Sequence, residues 1–111
     1  MDLFIQYIED SIKALELKEK ELIAQECKDE ANLIKIRINV YDIAKSFYEV
    51  TKSTYHGANF SQEFESRVRK PSLAWKTSYD KAKEHNDIEK TVIEEIKLQT
   101  LDEIIEKYKE M

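Results

Sequence analysis

Apolar residues recur every three or four positions along almost the whole chain. Between 33 and 55 the polar residues Lys35, Asn39, Asp42, Ser46, Glu49 and Ser53 form one narrow stripe at that spacing. Leu33, Ile36, Val40, Ile43, Ala44, Phe47, Tyr48 and Val50 occupy the opposite side. Inside this segment "LIKIRINV" (33–40) alternates apolar and polar like a β-strand. The helical period runs through the whole segment, the alternation through only part of it, and a lone strand would have nothing to pair with. The segment is therefore helical, and Ile34, Ile38 and Tyr41 widen its apolar arc beyond half the circumference. A helix this apolar is the centre of a bundle or touches a second chain.

Upstream, Met1, Ile5, Ile8, Ile12, Leu15 and Leu22 form a helical stripe at heptad-like spacing. Residues 24–32, "AQECKDEAN", are polar nearly all round. Two readings compete: a helical hairpin turning near Glu26 to Asp29, or one continuous helix through both segments. The hairpin is preferred, because Glu26 and Asp29 would sit on the apolar seam of a continuous helix. Against it stands the absence of Gly and Pro from the turn.

"HGANFSQ" (56–62) breaks the pattern, with Gly57 suited to a left-handed position and Asn59 or Ser61 to an N-cap. Phe60, Phe64, Val68, Pro71, Trp75, Tyr79 and Ala82 then continue the three-four spacing. Pro71 has no amide to donate and clashes one turn back. It either kinks one helix or stands in the first turn of a new one, and the second arrangement is expected. Asn86 or Asp87 caps a last helix, in which the apolar face shifts between Ile96 and Leu101 and suggests a kink at 98–100. Thr100 and Glu103 have the spacing of a capping box. No internal repeat is evident.

These segments predict an all-α chain forming one domain over 1–111, a small antiparallel bundle of four to five helices. Helices are expected near 2–25, 30–55, 61–69, 72–85 and 88–109, the first two as a hairpin and the third ending before Pro71. Val40, Phe47 and Trp75 are the expected core. Composition agrees: one Gly and one Pro among 111 residues leave too few turn-formers for a sheet protein. Lysines (15) far outnumber arginines (3), a usage common in AT-rich bacterial genomes.

Charge is uneven. Residues 1–32 carry nine acidic and four basic groups, residues 84–111 the same, and the segments between are mildly basic, for a net charge of −5. The acidic start, with Asp2, Glu9 and Asp10, lacks the basic region of an export signal, and no apolar run spans a membrane. Cys27 is the single cysteine, so neither a disulfide framework nor a zinc ligand set is present. A cytoplasmic location is the expectation.

Candidate chemistry is sparse. Ser53 precedes His56 and Ala82 precedes His85 where a di-metal bundle requires Glu, so no metal or cofactor is expected. Cys27 reads as a thiol beside a turn, and His85 as a group complementing a helix C-terminus. Arg67, Arg69 and Lys70 form the one basic cluster and are the candidate contacts for nucleic acid. With an acidic chain around them, nucleic acid is not expected as a partner. Arg37 lies on the apolar side of its helix near Tyr41 and Tyr48 and must meet a carboxylate or an aromatic ring. The same three residues are the candidate site for an anionic ligand. The expectation for function is a non-enzymatic interaction or structural protein that self-associates as a dimer. The alternative is a small regulator binding an anionic ligand at Arg37 or nucleic acid at the 67–70 cluster.

Overall fold

The computed structural model describes residues 2–111. It contains five helices and, among the described residues, no strand: α1 (Leu3–Ala24), α2 (Lys28–Thr54), α3 (Phe60–Val68), α4 (Lys70–Glu84) and α5 (Ile88–Glu110). The three-four spacing thus prevails over the alternation at 33–40. Met1, the first position of the expected stripe, lies outside the described residues.

The hairpin reading of α1 and α2 holds, and the turn explains how it forms without glycine. Glu26 adopts φ 61°, in the left-handed region. Its amide donates to the Ile23 carbonyl and the Cys27 amide to the Leu22 carbonyl, at 3.0 and 2.8 Å. This is a Schellman ending, which satisfies the orphan carbonyls of the last helical turn. The left-handed backbone costs a non-glycine residue about 1 kcal/mol, which those bonds and the packing of Leu22 offset. The α4–α5 turn repeats the device: Asn86 has φ 56°, its amide meets the Lys83 carbonyl, and the Asp87 amide meets the Ala82 carbonyl. Asp87 then caps α5 by accepting from the Lys90 amide.

The two turns are sixty positions apart, and the correspondence extends into part of the core although the sequence shows no repeat. Adding sixty to Phe4, Ile8, Leu22, Val40, Tyr41 and Ala44 gives Phe64, Val68, Ala82, Thr100, Leu101 and Ile104, and all twelve are buried. Helices α3 and α4 together match α1, and α5 matches α2. Exchange of the halves also preserves the aromatic core. Phe4–Tyr48 and Phe64–Tyr108 lie 4.9 and 5.0 Å apart within the halves, Phe4–Tyr108 and Tyr48–Phe64 5.0 and 5.3 Å across them. That reciprocity is the signature of an approximate two-fold. Helices α2 and α5 run parallel at its centre, and α1 and α4 flank them.

The halves differ where Pro71 stands. Arg69 joins α3 to α4, and Pro71 occupies the first turn of α4, as the spacing predicts. The bend leans α3 onto α2, whereas α1 runs unbroken. Other expectations need correction. Gly57 does not take a positive φ. Its missing Cβ makes room for Tyr55, whose hydroxyl would lie 2.5 Å from a side chain there. No kink interrupts α5. Its apolar face shifts because its neighbours change along its length. Val40 is core, but Phe47 and Trp75 are half-buried and pack against the outside of it. The central aromatics are Phe4 and Phe64 instead.

Candidate partner-binding groove

The residues expected to carry chemistry are each held by a different neighbour. Arg37 reaches Glu103 of α5 at 3.9 Å, with its side chain about a third exposed (32%) and that of Glu103 mostly exposed (59%). The expected ion pair is present, but loose and wet. The Tyr41 hydroxyl lies 3.2 Å from that of Tyr7, on α1. The Tyr48 hydroxyl donates to Asp2 Oδ2 at 2.7 Å. Asp2 also accepts from the Phe4 and Ile5 amides, capping α1, and pairs with Lys52 at 3.1 Å. Burial first, then the bond to Asp2, raises the Tyr48 pKa well above the ordinary phenol range. The polar ends of Arg37, Tyr41 and Tyr48 are thus directed to three separate partners.

The basic cluster is similarly engaged. Arg67 donates to Glu63 and to Thr54, at 2.9 and 2.7 Å. Arg69 bridges Glu65 and Asp102 at 3.3 and 3.2 Å, tying α3 to α5. Lys109 joins the same Glu65 at 3.3 Å. Burial opposes ionisation of Glu65, but the bonds from Lys109 and Arg69 outweigh it and hold the carboxyl below its ordinary value. Lys70 is exposed. Cys27 is half-buried in the first turn, His56 lies exposed between α2 and α3, and His85 ends α4. Among the described residues no three His, Cys, Asp or Glu side chains are grouped to hold a metal. No helix is long and apolar enough to cross a membrane.

An open apolar groove lies elsewhere. The main apolar cluster begins at Val40 on α2 and at Leu101 on α5, and toward the turns only Ala31 of α2 and Glu94 and Thr100 of α5 are buried. Toward the two turns the central helices leave a groove of about 510 Å³ between them. Leu33 and Ile36 line it from α2, and Ile88, Val92 and Ile93 from α5. The exposed Asp29, Asn32 and Glu89 complete its wall. Corresponding positions face each other here too: Asp29 with Glu89, Leu33 with Ile93. Ile88 is 78% and Val92 38% exposed, so the groove is open to solvent along one side. A second, smaller hollow of about 240 Å³ continues from Ile88 and Val92 toward Lys83 and Asn86. Sequence periodicity placed these side chains on helices. It gave no sign that they converge, because convergence depends on how the two halves pair.

No protein-family model matches the chain, and neither a curated protein nor a solved structure does.

Proposed function

We propose that the chain is a non-enzymatic interaction protein, working in the bacterial cytoplasm, whose contact surface is the groove between α2 and α5. The observation that carries this reading is the meeting of apolar side chains from both halves in one open groove, the half-buried Leu33 and Ile36 of α2 with the exposed Ile88 and Val92 of α5. Single exposed residues such as Leu3, Leu17 and Leu73 are normal on any surface. The groove differs in drawing its apolar residues from two helices, and its size falls within the usual ligand-pocket range, about 300–1,000 Å³. The engagement of Arg67 and Arg69 by the chain's own carboxylates adds weight against an anion-binding role at the 67–70 cluster. The lone thiol fits a reducing compartment.

Self-association is the competing reading. The wide apolar arc of α2 motivates it, but α1, α3 and α5 cover most of that arc within one chain. Leu33, Ile34, Ile36, Ile38 and Ile43 remain half-buried, and Val50 is 53% exposed.

A photo-crosslinking residue in place of Val92, in the full chain in its own cells, tests the proposal. A discrete adduct abolished by Ile88→Glu supports it. Absence of any adduct, with the protein folded and abundant, overturns it. An adduct of twice the chain's mass would identify a second copy.

A further inference from the structure

We infer that the groove accepts an amphipathic helix lying antiparallel to α2 and α5, with lysine or arginine in its last turn. This rests on the groove being the contact surface, and names its occupant.

Asp29 and Glu89 line the groove at the end nearer the turns, and neither makes an ion pair among the described residues. Lys28 and Lys90 stand beside them in sequence but do not line the groove. Lys83, in the adjoining hollow, lies over the Tyr79 ring. The wall of the main groove is thus acidic and apolar, with no cation. A second copy laid parallel, groove to groove, would set Asp29 and Glu89 against their own kind, and one laid antiparallel would bring no lining cation to them, within a chain of net charge −5. An acidic or phosphorylated partner meets the same repulsion. A partner with basic residues is favoured.

Helices α2 and α5 run parallel, and the groove extends along both from Asp29 to Ile36 and from Ile88 to Ile93. A small molecule would remain wet beside Ile88, whereas tight sites bury most of their ligand. A helix laid into the furrow covers Ile88 and Val92 with apolar side chains spaced three and four apart.

Both N-termini of the central helices, the positive ends of their dipoles, lie at the Asp29–Glu89 end. An antiparallel helix brings its negative C-terminal end there. Cations are most favourable in a helix's last turn, so the lysines or arginines that Asp29 and Glu89 would meet fall where the incoming helix itself prefers them.

The probe is a labelled synthetic helix of about four turns with leucines at three-four spacing and two lysines in its last turn. One control carries glutamates in place of those lysines, and another carries the lysines in the first turn. Anisotropy with the full chain should show the first probe binding roughly tenfold tighter than the glutamate control, a gap that narrows as salt rises. Asp29→Asn with Glu89→Gln should remove most of the gap. Ile88→Glu, at a site too exposed to affect folding, should abolish binding with helicity retained. Equal binding of the lysine and glutamate probes, both lost in Ile88→Glu, would overturn the basic partner and leave the groove reading intact. Preference for the first-turn lysines would overturn the direction. No binding by any probe, together with a dimer in light scattering that Ile88→Glu dissociates, would assign the groove to a second copy. No binding with a monomeric protein would overturn the helix as occupant, while the crosslinking experiment judges the groove separately.

Discussion

Phe4 and Phe64 meet edge to face, ring centroids 5.6 Å apart, where the two halves of the chain join. Each also touches Tyr48 and Tyr108, so four rings from four helices close the core around the approximate two-fold. Such pairs contribute about 0.5–1.5 kcal/mol each beyond the area they bury. Phe4→Ala and Phe64→Ala should each destabilise by about 3–5 kcal/mol, as deletions of buried aromatics do. Phe47→Ala and Trp75→Ala, at half-buried positions, should cost clearly less. Urea unfolding of the four variants checks the order. Because the rings touch, the double Phe variant should depart from additivity by about 0.5 kcal/mol or more.

Glu26 and Asn86 hold the left-handed positions of the two turns. Glycine fits that conformation without a Cβ penalty. Glu26→Gly should therefore raise stability by about 0.5–1 kcal/mol, and Asn86→Gly by less, since Asn already tolerates the region. In the interior of α1 the same change, at the exposed Ala14, should lower stability by about 1 kcal/mol. Thermal melts distinguish the two signs.

Asp2 links stability to acid. Burial would raise its pKa, but hydrogen bonds from Tyr48, Lys52 and the Ile5 amide outweigh it and hold the carboxyl below its ordinary 3.8. A carboxyl depressed in the folded state stabilises it above the unfolded pKa, and that contribution is lost as pH falls through the folded value. Asp2→Asn keeps a capping acceptor but removes the charge. It should cost about 1 kcal/mol at neutral pH, and the difference from the native chain should vanish progressively below about pH 4. Denaturant titrations at a series of pH values would show the two curves converging. The opposite sign holds for Tyr48, whose raised pKa adds stability below the unfolded phenol value of about 10 and loses it as pH climbs through the folded one.

Arg37→Met should lower stability by less than about 1 kcal/mol, because its pair with Glu103 is long and mostly solvated. A loss of several kcal/mol would mean that the guanidinium holds together more than this one contact.

Helix positions could be read closely from the sequence because every segment is amphipathic and the breakers are few. Asp87 and Pro71 mark the last two helix starts by local chemistry alone. Phe4 escaped because the stripe through Ile5 and Ile8 fits the same helix, and one helix cannot say which of two adjacent residues faces the core. Phe47 and Trp75 misled for a related reason: a large ring on an apolar face can lie against a core without entering it. The two-fold was invisible because it rests on size and burial at paired positions, such as Val40 with Thr100, and not on identity. The groove followed it out of sight, being a property of how the halves meet. Glu26 in a left-handed turn shows the converse case, tertiary packing imposing a backbone state that its residue type disfavours.

His56, Gly57 and Ala58 are exposed in the short strand of chain joining the halves. That segment is a tether: it holds each hairpin at an effective concentration on the order of millimolar beside its counterpart. A protease cut there would leave the apolar seam intact and turn one folding molecule into a two-part complex. Its melting temperature would then rise with protein concentration, a dependence that joining the hairpins in one chain removes from their mutual association.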